Sequence, residues 1–427
     1  MIRKFIQQNK FYQKYPSLIF ISKWLVISTL IGVAVGSASA FFLTSLRWAE
    51  NVRESHKWII WFLPVAGMGI GAMYHYWGKN SDAGNNLLID RVMHPGNDRI
   101  PFRMAPLVLV GTIATHLFGG SAGREGTALQ MAGSISDQLT KPLKLDHNDR
   151  KILIIAAIAA GFGSVFGTPL AGALFGLEVI VIGKIKYDAI FPAFLAAIIS
   201  DHVTRSWGVG HTEYVIHSIP EISTLNIIYS VLAGIVFGIV AAIFSRLNHG
   251  IGQFFKSKIK YPPLRPFVGG LVIAIAVFAI GTTKYIGLGV PVIVDAFNQQ
   301  LPSYDFAVKI IFTAVTLGAG FKGGEVTPLF FIGATLGNAL AWIIPLPMGL
   351  LAGMGFVAVF AGATNTPLAC SIMAIELFGA ESGIYVAIAC VVAYLMSGNT
   401  SIYNGQFIGQ AKHVFFGQYS GKRIKDI

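Results

Sequence analysis

Charged side chains are scarce in this chain of 427 residues: they make up 12% of the sequence, whereas a soluble domain carries about 25%. Hydrophobic residues make up 54%. This balance excludes an ordinary soluble domain and indicates a protein that spans a membrane several times. The apolar stretches are clearest at 24–45, 58–77, 151–180, 226–246, 265–285 and 346–397. We therefore expect an all-α polytopic membrane protein.

Cysteine is also nearly absent, since the chain has only Cys370 and Cys390, both within apolar segments. Two such residues give neither a disulfide framework nor the spacing of a metal site. The sequence contains no His-Glu-x-x-His zinc motif and no Gly-x-x-x-x-Gly-Lys-Ser/Thr phosphate-binding loop. We therefore expect a protein that is not an enzyme and that needs no metal ion or cofactor.

The formal net charge is +12, and its position in the chain is informative. Basic residues cluster in the N-terminal tail, in the loops 141–151 and 256–265, and in the C-terminal tail. Short basic loops stay in the cytoplasm, so we expect both termini and both loops to be cytoplasmic. Because the charge flanks apolar stretches instead of forming one basic face, a nucleic-acid partner is not expected.

The chain repeats itself once. Residues 120–133 match 320–333 at six of 14 positions, and 167–178 match 365–376 at five of 12, at nearly the same offset. Two homologous halves are the usual plan of a secondary transporter, whose site lies between the repeats near the middle of the bilayer.

We therefore divide the chain into two membrane repeats, 24–205 and 225–410. A basic cytoplasmic tail, 1–23, is expected before them, and a short cytoplasmic tail, 411–427, after them. Because so few residues follow the second repeat, we expect no regulatory cytoplasmic domain.

Three Thr-Pro-Leu segments lie in apolar sequence, at 168–170, 327–329 and 366–368. Threonine is a good N-cap and proline suits the first turn, so each segment predicts a helix that starts inside the membrane. Thr127 is the repeat partner of Thr327 and gives a fourth start. Helix N-termini carry unpaired N–H groups and positive partial charge, so four ends in repeat register predict an anion site. A single Thr-Pro would only start an ordinary span.

Glu125 and Glu325 are repeat partners in glycine-rich turns just before two of these helices. A carboxylate at membrane depth costs about 2.5–3.5 kcal/mol on insertion scales. The helix end stabilises its charged form, whereas burial favours the neutral form. Such a group can change protonation and compete with an anion for the same N–H groups. The pair therefore predicts a proton-coupled anion gate, although a helix cap would explain one such glutamate.

Two further pairs have less specific interpretations. Glu178 and Glu376 lie a helix length after their Thr-Pro starts, and we expect them to be structural and near an interface. Arg124 and Lys322 flank the two gating positions. They would either attract anions into a mouth or pair with nearby acids, and the sequence leaves both open.

Together these segments resemble the chloride-channel (CLC) superfamily over residues 24–410. The matching segments are Gly-Arg-Glu-Gly-Thr at 123–127, Gly-Thr-Pro-Leu-Ala-Gly at 167–172, Gly-Gly-Glu-Val-Thr-Pro at 323–328, and Tyr403 at the position of the family's pore tyrosine. The resemblance implies inverted repeats with broken and re-entrant helices, a homodimer, and one anion pathway in each subunit.

Three departures resemble the fluoride-exporting branch of that family. Glu325 stands where chloride transporters have an apolar residue, and Val179 stands where chloride/proton members carry an inner glutamate. The family's Gly-Ser-Gly-Ile-Pro motif is replaced by Gly-Asn-Asn-Leu-Leu at 84–88. Fluoride is small and strongly hydrated, so its site needs close donors such as amides and hydroxyls.

The resemblance thus implies a fluoride/proton antiporter that confers fluoride resistance, in a bacterial inner membrane. Glu125 would be the outer gate and Glu325 would serve the inner proton or anion step. The anion-binding positions that it implies are Asn85 or Asn86, Gly324, Val326, Thr327 and Tyr403. A chloride/proton antiporter or a chloride channel on the same fold is the alternative. A non-transporting membrane scaffold would leave the paired glutamates unexplained.

Overall fold

The computed structural model describes residues 16–96 and 98–427. Helices numbered in chain order alternate with short turns and form two sets of eight in the described residues. The first set is α1 (Pro16–Ser55), α2 (Leu63–Met73), α3 (Asn85–Met93), α4 (Met104–Leu117), α5 (Glu125–Ser136), α6 (His147–Phe166), α7 (Pro169–Glu178) and α8 (Ile190–Ser206). The second set is α9 (Thr224–Lys258), α10 (Leu264–Ile280), α11 (Val290–Asn298), α12 (Asp305–Ala319), α13 (Val326–Leu340), α14 (Met348–Thr364), α15 (Pro367–Phe378) and α16 (Gly383–Met396).

The two sets follow the same order, and their middle members are in strict register. The pairs α4/α12, α5/α13 and α6/α14 start at 104 and 305, at 125 and 326, and at 147 and 348, so each pair is 201 residues apart. The repeat seen in the sequence is therefore also a repeat of helices. An extended segment, 209–223, joins the two sets.

The first helix starts earlier than the sequence suggests. Helix α1 begins at Pro16, so residues 16–23 are helical and continuous with the first span, whereas the expected tail extended to residue 23. Residues 1–15 lie outside the described part of the chain.

Three helical segments of the described chain are long and apolar enough to cross a membrane: Pro16–Ser55, Lys57–Met93 and Thr224–Lys258. Six further apolar helices have 10–17 residues, which is short for a span of about 20 residues. The long apolar stretch 346–397 accounts for three of them, because it contains α14, α15 and α16. Large apolar side chains such as Phe278 and Ile343 are exposed on the outside, as expected for a surface in contact with lipid.

Aromatic packing holds the broken helices together. Phe162 of α6 stacks on Phe175 of α7 with ring centroids 4.3 Å apart, and Phe360 of α14 lies 6.0 Å from Phe162. Phe330 of α13 stacks on Phe356 of α14 at 4.0 Å. These buried rings tie the first half to the second beside the start of α13.

Two short strands close one end of the molecule. Strand β1 (Val181–Ile182) pairs in parallel with β2 (Phe407–Ile408). The C-terminal residues fold back on β2, since the amide of Ile408 donates to the carbonyl of Lys422 at 2.9 Å. Arg423 then donates to Asp90 of α3 at 3.0 Å. The segment 411–427 is thus packed against both repeats.

Candidate anion and proton site

The breaks before α5 and α13 meet at the centre of the protein. The amide of Gly123 donates to the carbonyl of Gly324 at 2.6 Å, and the amide of Gly324 donates to the carbonyl of Gly123 at 2.9 Å. Equivalent loops of the two halves therefore pair with each other in antiparallel fashion, as a twofold relation between the halves requires. This pairing brings the starts of α5 and α13 together.

The carboxylate of Glu125 lies against the first turn of α13. It accepts from the amide of Val326 at 2.5 Å, from the amide of Thr327 at 3.3 Å, and from the hydroxyl of Thr327 at 3.1 Å. The amide of Arg124 also donates to it, at 2.9 Å. Glu125 is fully buried. A carboxylate is thus held in the place and by the donors that a bound anion would use at a helix N-terminus.

Helix α3 adds a third helix start near the same point. It begins at Asn85, after Gly84 in a left-handed conformation (φ 58°) that glycine adopts without strain. Asn85 lines a small cavity of about 10 Å³ together with Tyr403 and Val179. Asn86 behaves differently, because its side-chain oxygen accepts from the amide of Gly405 at 2.8 Å. Of the two asparagines, Asn85 therefore lines this small cavity, which we call the central cavity, and Asn86 holds a neighbouring loop.

Tyr403 lies in a buried loop after α16. Neither its hydroxyl nor the Asn85 side-chain oxygen has a hydrogen-bond partner within residues 16–96 and 98–427. Both atoms are buried at the same cavity. Unpaired buried polar groups of this kind are uncommon and invite a functional explanation.

Gln406 fixes this loop, and no motif in the sequence pointed to it. Its amide nitrogen donates to the carbonyls of Val179 and Thr364 at 2.8 and 2.7 Å. Its oxygen accepts from Ser401 at 2.6 Å and from Asn365 at 3.1 Å. A fully buried glutamine with four partners thus locks the Tyr403 loop to α7 and α14.

Glu325 is the N-cap residue of α13 and lines a large cavity of about 600 Å³. Lys256 and Arg265, from the loop that the sequence predicts to be cytoplasmic, line the same cavity. We call it the inner vestibule. The two repeat-related glutamates therefore occupy different surroundings: Glu125 is enclosed at the helix end, and Glu325 borders the vestibule.

A smaller cavity of about 160 Å³ lies on the Arg124 side and is also lined by Arg47 and Glu50. The sequence left open whether Arg124 and Lys322 attract anions or pair with nearby acids, and the structure places the two side chains in different surroundings. Arg124 lines this smaller cavity, whereas Lys322 pairs with an acid, Asp82, at 2.6 Å.

The prediction of four converging helix ends is wrong in part. The ends of α7 and α15 do not carry free N–H groups toward an anion, because glutamates from the opposite half cap them. Glu376 accepts from the amides of Leu170 and Ala171 at 3.0 and 2.8 Å. Glu178 accepts from Leu368 and Ala369 at 3.2 and 2.9 Å. These reciprocal caps agree with the structural role expected for both glutamates, and they neutralise the two helix ends.

Two smaller expectations also need correction. Thr168 and Thr366 occupy N-cap positions, but neither side chain caps its helix. Gly324 was expected to bind the anion, but its amide is used by Gly123. Its neighbour Val326 instead supplies the amide at the site. Among the described residues, no group of three or more His, Cys, Asp or Glu side chains could hold a metal ion.

Comparison with known proteins identifies the family of this chain. Residues 66–398 match the family model described as "Voltage gated chloride channel". The chain belongs to the voltage-gated chloride channel family. The match spans both repeats and includes every candidate site residue except Tyr403, which follows five residues after its end. The resemblance drawn from the sequence motifs is therefore confirmed.

Individual family members narrow the comparison. The chain is 54% identical to a "Chloride/fluoride channel protein" from Pseudomonas syringae pv. tomato, over 95% of this chain and 92% of that one. The crystal structure of a "CLC-type fluoride/proton antiporter" superposes with a TM-score of 0.87 at 35% identity, over 90% of this chain and 98% of that one. A slow cyanobacterial Cl⁻/H⁺ antiporter superposes with a TM-score of 0.75 over 88% of this chain and 94% of that one. At 19% identity, that second likeness concerns the fold alone. The predicted fold class, an all-α membrane protein with the inverted repeat of this family, is confirmed.

Proposed function

We propose that this protein exports fluoride in exchange for protons and so confers resistance to fluoride. One observation carries the proposal: the Glu125 carboxylate is bound by the amide and hydroxyl donors of Val326 and Thr327 that would otherwise bind an anion. A carboxylate and an anion that compete for the same donors are coupled through protonation. The names of the relatives, a chloride/fluoride channel protein and a fluoride/proton antiporter, support fluoride as the anion.

The competition gives a simple exchange cycle. Charged Glu125 fills the start of α13 and blocks it. A proton from outside neutralises the carboxylate, which weakens its charge-assisted hydrogen bonds and lets it leave. Fluoride then takes the donors of Val326 and Thr327, and when Glu125 later loses its proton inward and returns, it displaces fluoride outward. Neither ion completes its movement without the other.

Glu325 provides the inner step of this cycle in the proposal. It stands at the N-cap of α13, one residue before Val326, and borders the inner vestibule. A carboxyl group in this position can exchange protons with the vestibule. Val179 stands where chloride/proton members of the family carry an inner glutamate, and it has no ionisable group. We therefore assign the inner proton step to Glu325.

Asn85 and Tyr403 supply donors for the dehydrated ion. Removing fluoride from water requires short, strong hydrogen bonds, and an amide NH₂ and a phenol O–H can both donate. The unpaired hydroxyl of Tyr403 at the central cavity supports this role. Gly405 engages the oxygen of Asn86, which leaves the NH₂ group of Asn86 as a donor at the inner vestibule.

Location and assembly complete the proposal. The protein would lie in the cell membrane, a bacterial inner membrane, with both termini in the cytoplasm. It would form a homodimer, for which the exposed apolar side chains Leu170 and Leu368, next to the reciprocal glutamate caps, offer a surface.

Efflux from liposomes tests the proposal. Purified protein in vesicles loaded with fluoride or with chloride is studied with an ion-selective electrode while external pH is recorded. We expect fluoride efflux with proton uptake, strongly preferred over chloride. The word "channel" and the anion chloride in the name of the Pseudomonas relative keep a chloride/proton antiporter or chloride channel as the second candidate. Equal or faster chloride movement would favour that candidate and contradict fluoride export.

A further inference from the structure

The inner vestibule is lined by a lysine side chain, Lys322, that has no role in the exchange at the central site. Four basic side chains and two carboxylates of the described chain line it: Lys79, Lys256, Arg265, Lys322, Asp82 and Glu325. The excess of positive charge favours anions. Lys322 is the one closest in sequence to the gate, three residues before Glu325.

The ion pair between Lys322 and Asp82 is asymmetric. Their charged atoms are 2.6 Å apart, yet the Lys322 side chain is only 18% exposed whereas the Asp82 side chain is 67% exposed. The Lys322 ammonium also lies 3.8 Å from the centroid of the Tyr74 ring, a cation–π arrangement. The lysine is therefore fixed by its surroundings, and the aspartate is free to turn into solvent. A cation that is mostly covered by protein and loses its counter-ion attracts another anion, so an anion is favoured wherever Asp82 withdraws.

Two further polar groups at the same cavity lack partners. The hydroxyl of Tyr74 and the side-chain oxygen of Asn248 are buried, and neither has a hydrogen-bond partner within the described residues. Both side chains are 7% exposed and both residues line the inner vestibule. A phenol donates a hydrogen bond, and an amide that turns about its last bond presents its NH₂ group. Donors of this kind, which line the same cavity as the ammonium, suit a small anion.

We propose that Lys322 forms a second anion-binding station in the inner vestibule, where fluoride is collected before it enters the central site. Asp82 occupies this station when no anion is present, as Glu125 does at the start of α13. Fluoride displaces the Asp82 carboxylate from Lys322 and then passes toward Asn86 and Glu325, which line the same cavity. The inference rests on the proposed anion transport, and it assigns to Lys322 and Asp82 an entry step separate from the gate.

The station predicts opposite effects for its two charges. Initial efflux is measured from proteoliposomes over a range of internal fluoride concentrations. Lys322→Gln should raise the half-saturating fluoride concentration about fivefold, which corresponds to about 1 kcal/mol, while the proton-to-fluoride ratio stays that of the wild type. Lys322→Arg, which keeps the charge, should restore it. Asp82→Asn removes the competing carboxylate and should lower the half-saturating concentration at least twofold.

Two controls are needed. One distinguishes loss of the anion station from a general loss of positive charge, and the other distinguishes it from failure of the proposed fluoride export. Lys258 is exposed at the end of α9, outside the vestibule lining, so Lys258→Gln should leave half-saturation unchanged. Half-saturation unaltered in Lys322→Gln, or altered equally in Lys258→Gln, overturns the station. If Lys322→Gln does not yield folded protein, Asp82→Asn decides, and an unchanged or higher half-saturation there overturns it. Wild-type protein that carries chloride instead of fluoride would refute the proposed function but not the station, which is then tested by the same variants with chloride.

Discussion

Gly123→Ala should loosen the gate without touching its carboxyl chemistry. A Cβ at this position would lie 2.6 and 2.7 Å from the two carboxylate oxygens of Glu125, and 2.9 Å from Pro328 Cδ. Unstrained contacts begin at about 3.5 Å, so the carboxylate must retreat by about 0.9 Å. We expect a displacement of this size to break the longest of its hydrogen bonds, the one from the Thr327 amide at 3.3 Å.

The cost follows from the lost hydrogen bond. A hydrogen bond to a charged group contributes about 1.5–3 kcal/mol, so losing one favours the displaced carboxylate by about 10- to 160-fold. An anion can then occupy the start of α13 while Glu125 is still charged, and fluoride leaks without protons. We expect a lower proton-to-fluoride ratio and faster fluoride efflux in liposomes.

A matched control and a refuting result are available. Gly69→Ala is a suitable control, because a Cβ there meets nothing within 4 Å, and it should keep wild-type exchange. If Gly123→Ala also keeps the wild-type proton-to-fluoride ratio and rate, the position of the Glu125 carboxylate at the start of α13 does not control the coupling of fluoride to protons. Our reasoning about the gate would then be refuted.

Two further substitutions test the supports of the site. Glu376→Gln removes the charge that caps α7 and should lower the free energy of unfolding by about 1–2 kcal/mol. The loss is measured as a lower thermal unfolding midpoint in detergent, and Glu381→Gln, at an exposed position, should leave the midpoint unchanged. Gln406→Leu removes four buried hydrogen bonds and should reduce fluoride selectivity over chloride through displacement of Tyr403. Gln406→Glu keeps one acceptor oxygen but replaces the donating NH₂ group with a second acceptor, so it should recover only part of that selectivity. Wild-type selectivity in a folded Gln406→Leu protein would mean that the loop does not position Tyr403.

Part of the site could be predicted from the sequence because the chain is duplicated. Repeat register identified Glu125 and Glu325 as a pair, and helix-start signals located the beginnings of α5 and α13 within two residues of Thr127 and Thr327. These are local signals in short windows of sequence. The family resemblance then pointed to Asn85 or Asn86 and to Tyr403.

The rest depends on contacts between distant parts of the chain. Thr-Pro starts look alike in sequence, so nothing local revealed that Glu178 and Glu376 cap the ends of α15 and α7 across the two halves. The different surroundings of Asn85 and Asn86 depend on a loop more than 300 residues away, whose Gly405 amide donates to the Asn86 oxygen. Gln406 was missed for the same reason, since a lone glutamine after a glycine carries no motif and its four partners come from separate segments.

The most direct test of the exchange mechanism is proton uptake per fluoride released in Glu125→Gln. Glutamine has nearly the same shape as glutamate but cannot ionise, so it neither competes with an anion as a charge nor carries a proton. We expect fluoride to move through liposomes with no accompanying proton uptake, while Glu54→Gln, an exposed acid at the end of α1, keeps the wild-type ratio. Wild-type proton uptake that persists in Glu125→Gln would contradict the claim that this carboxylate couples the two ions.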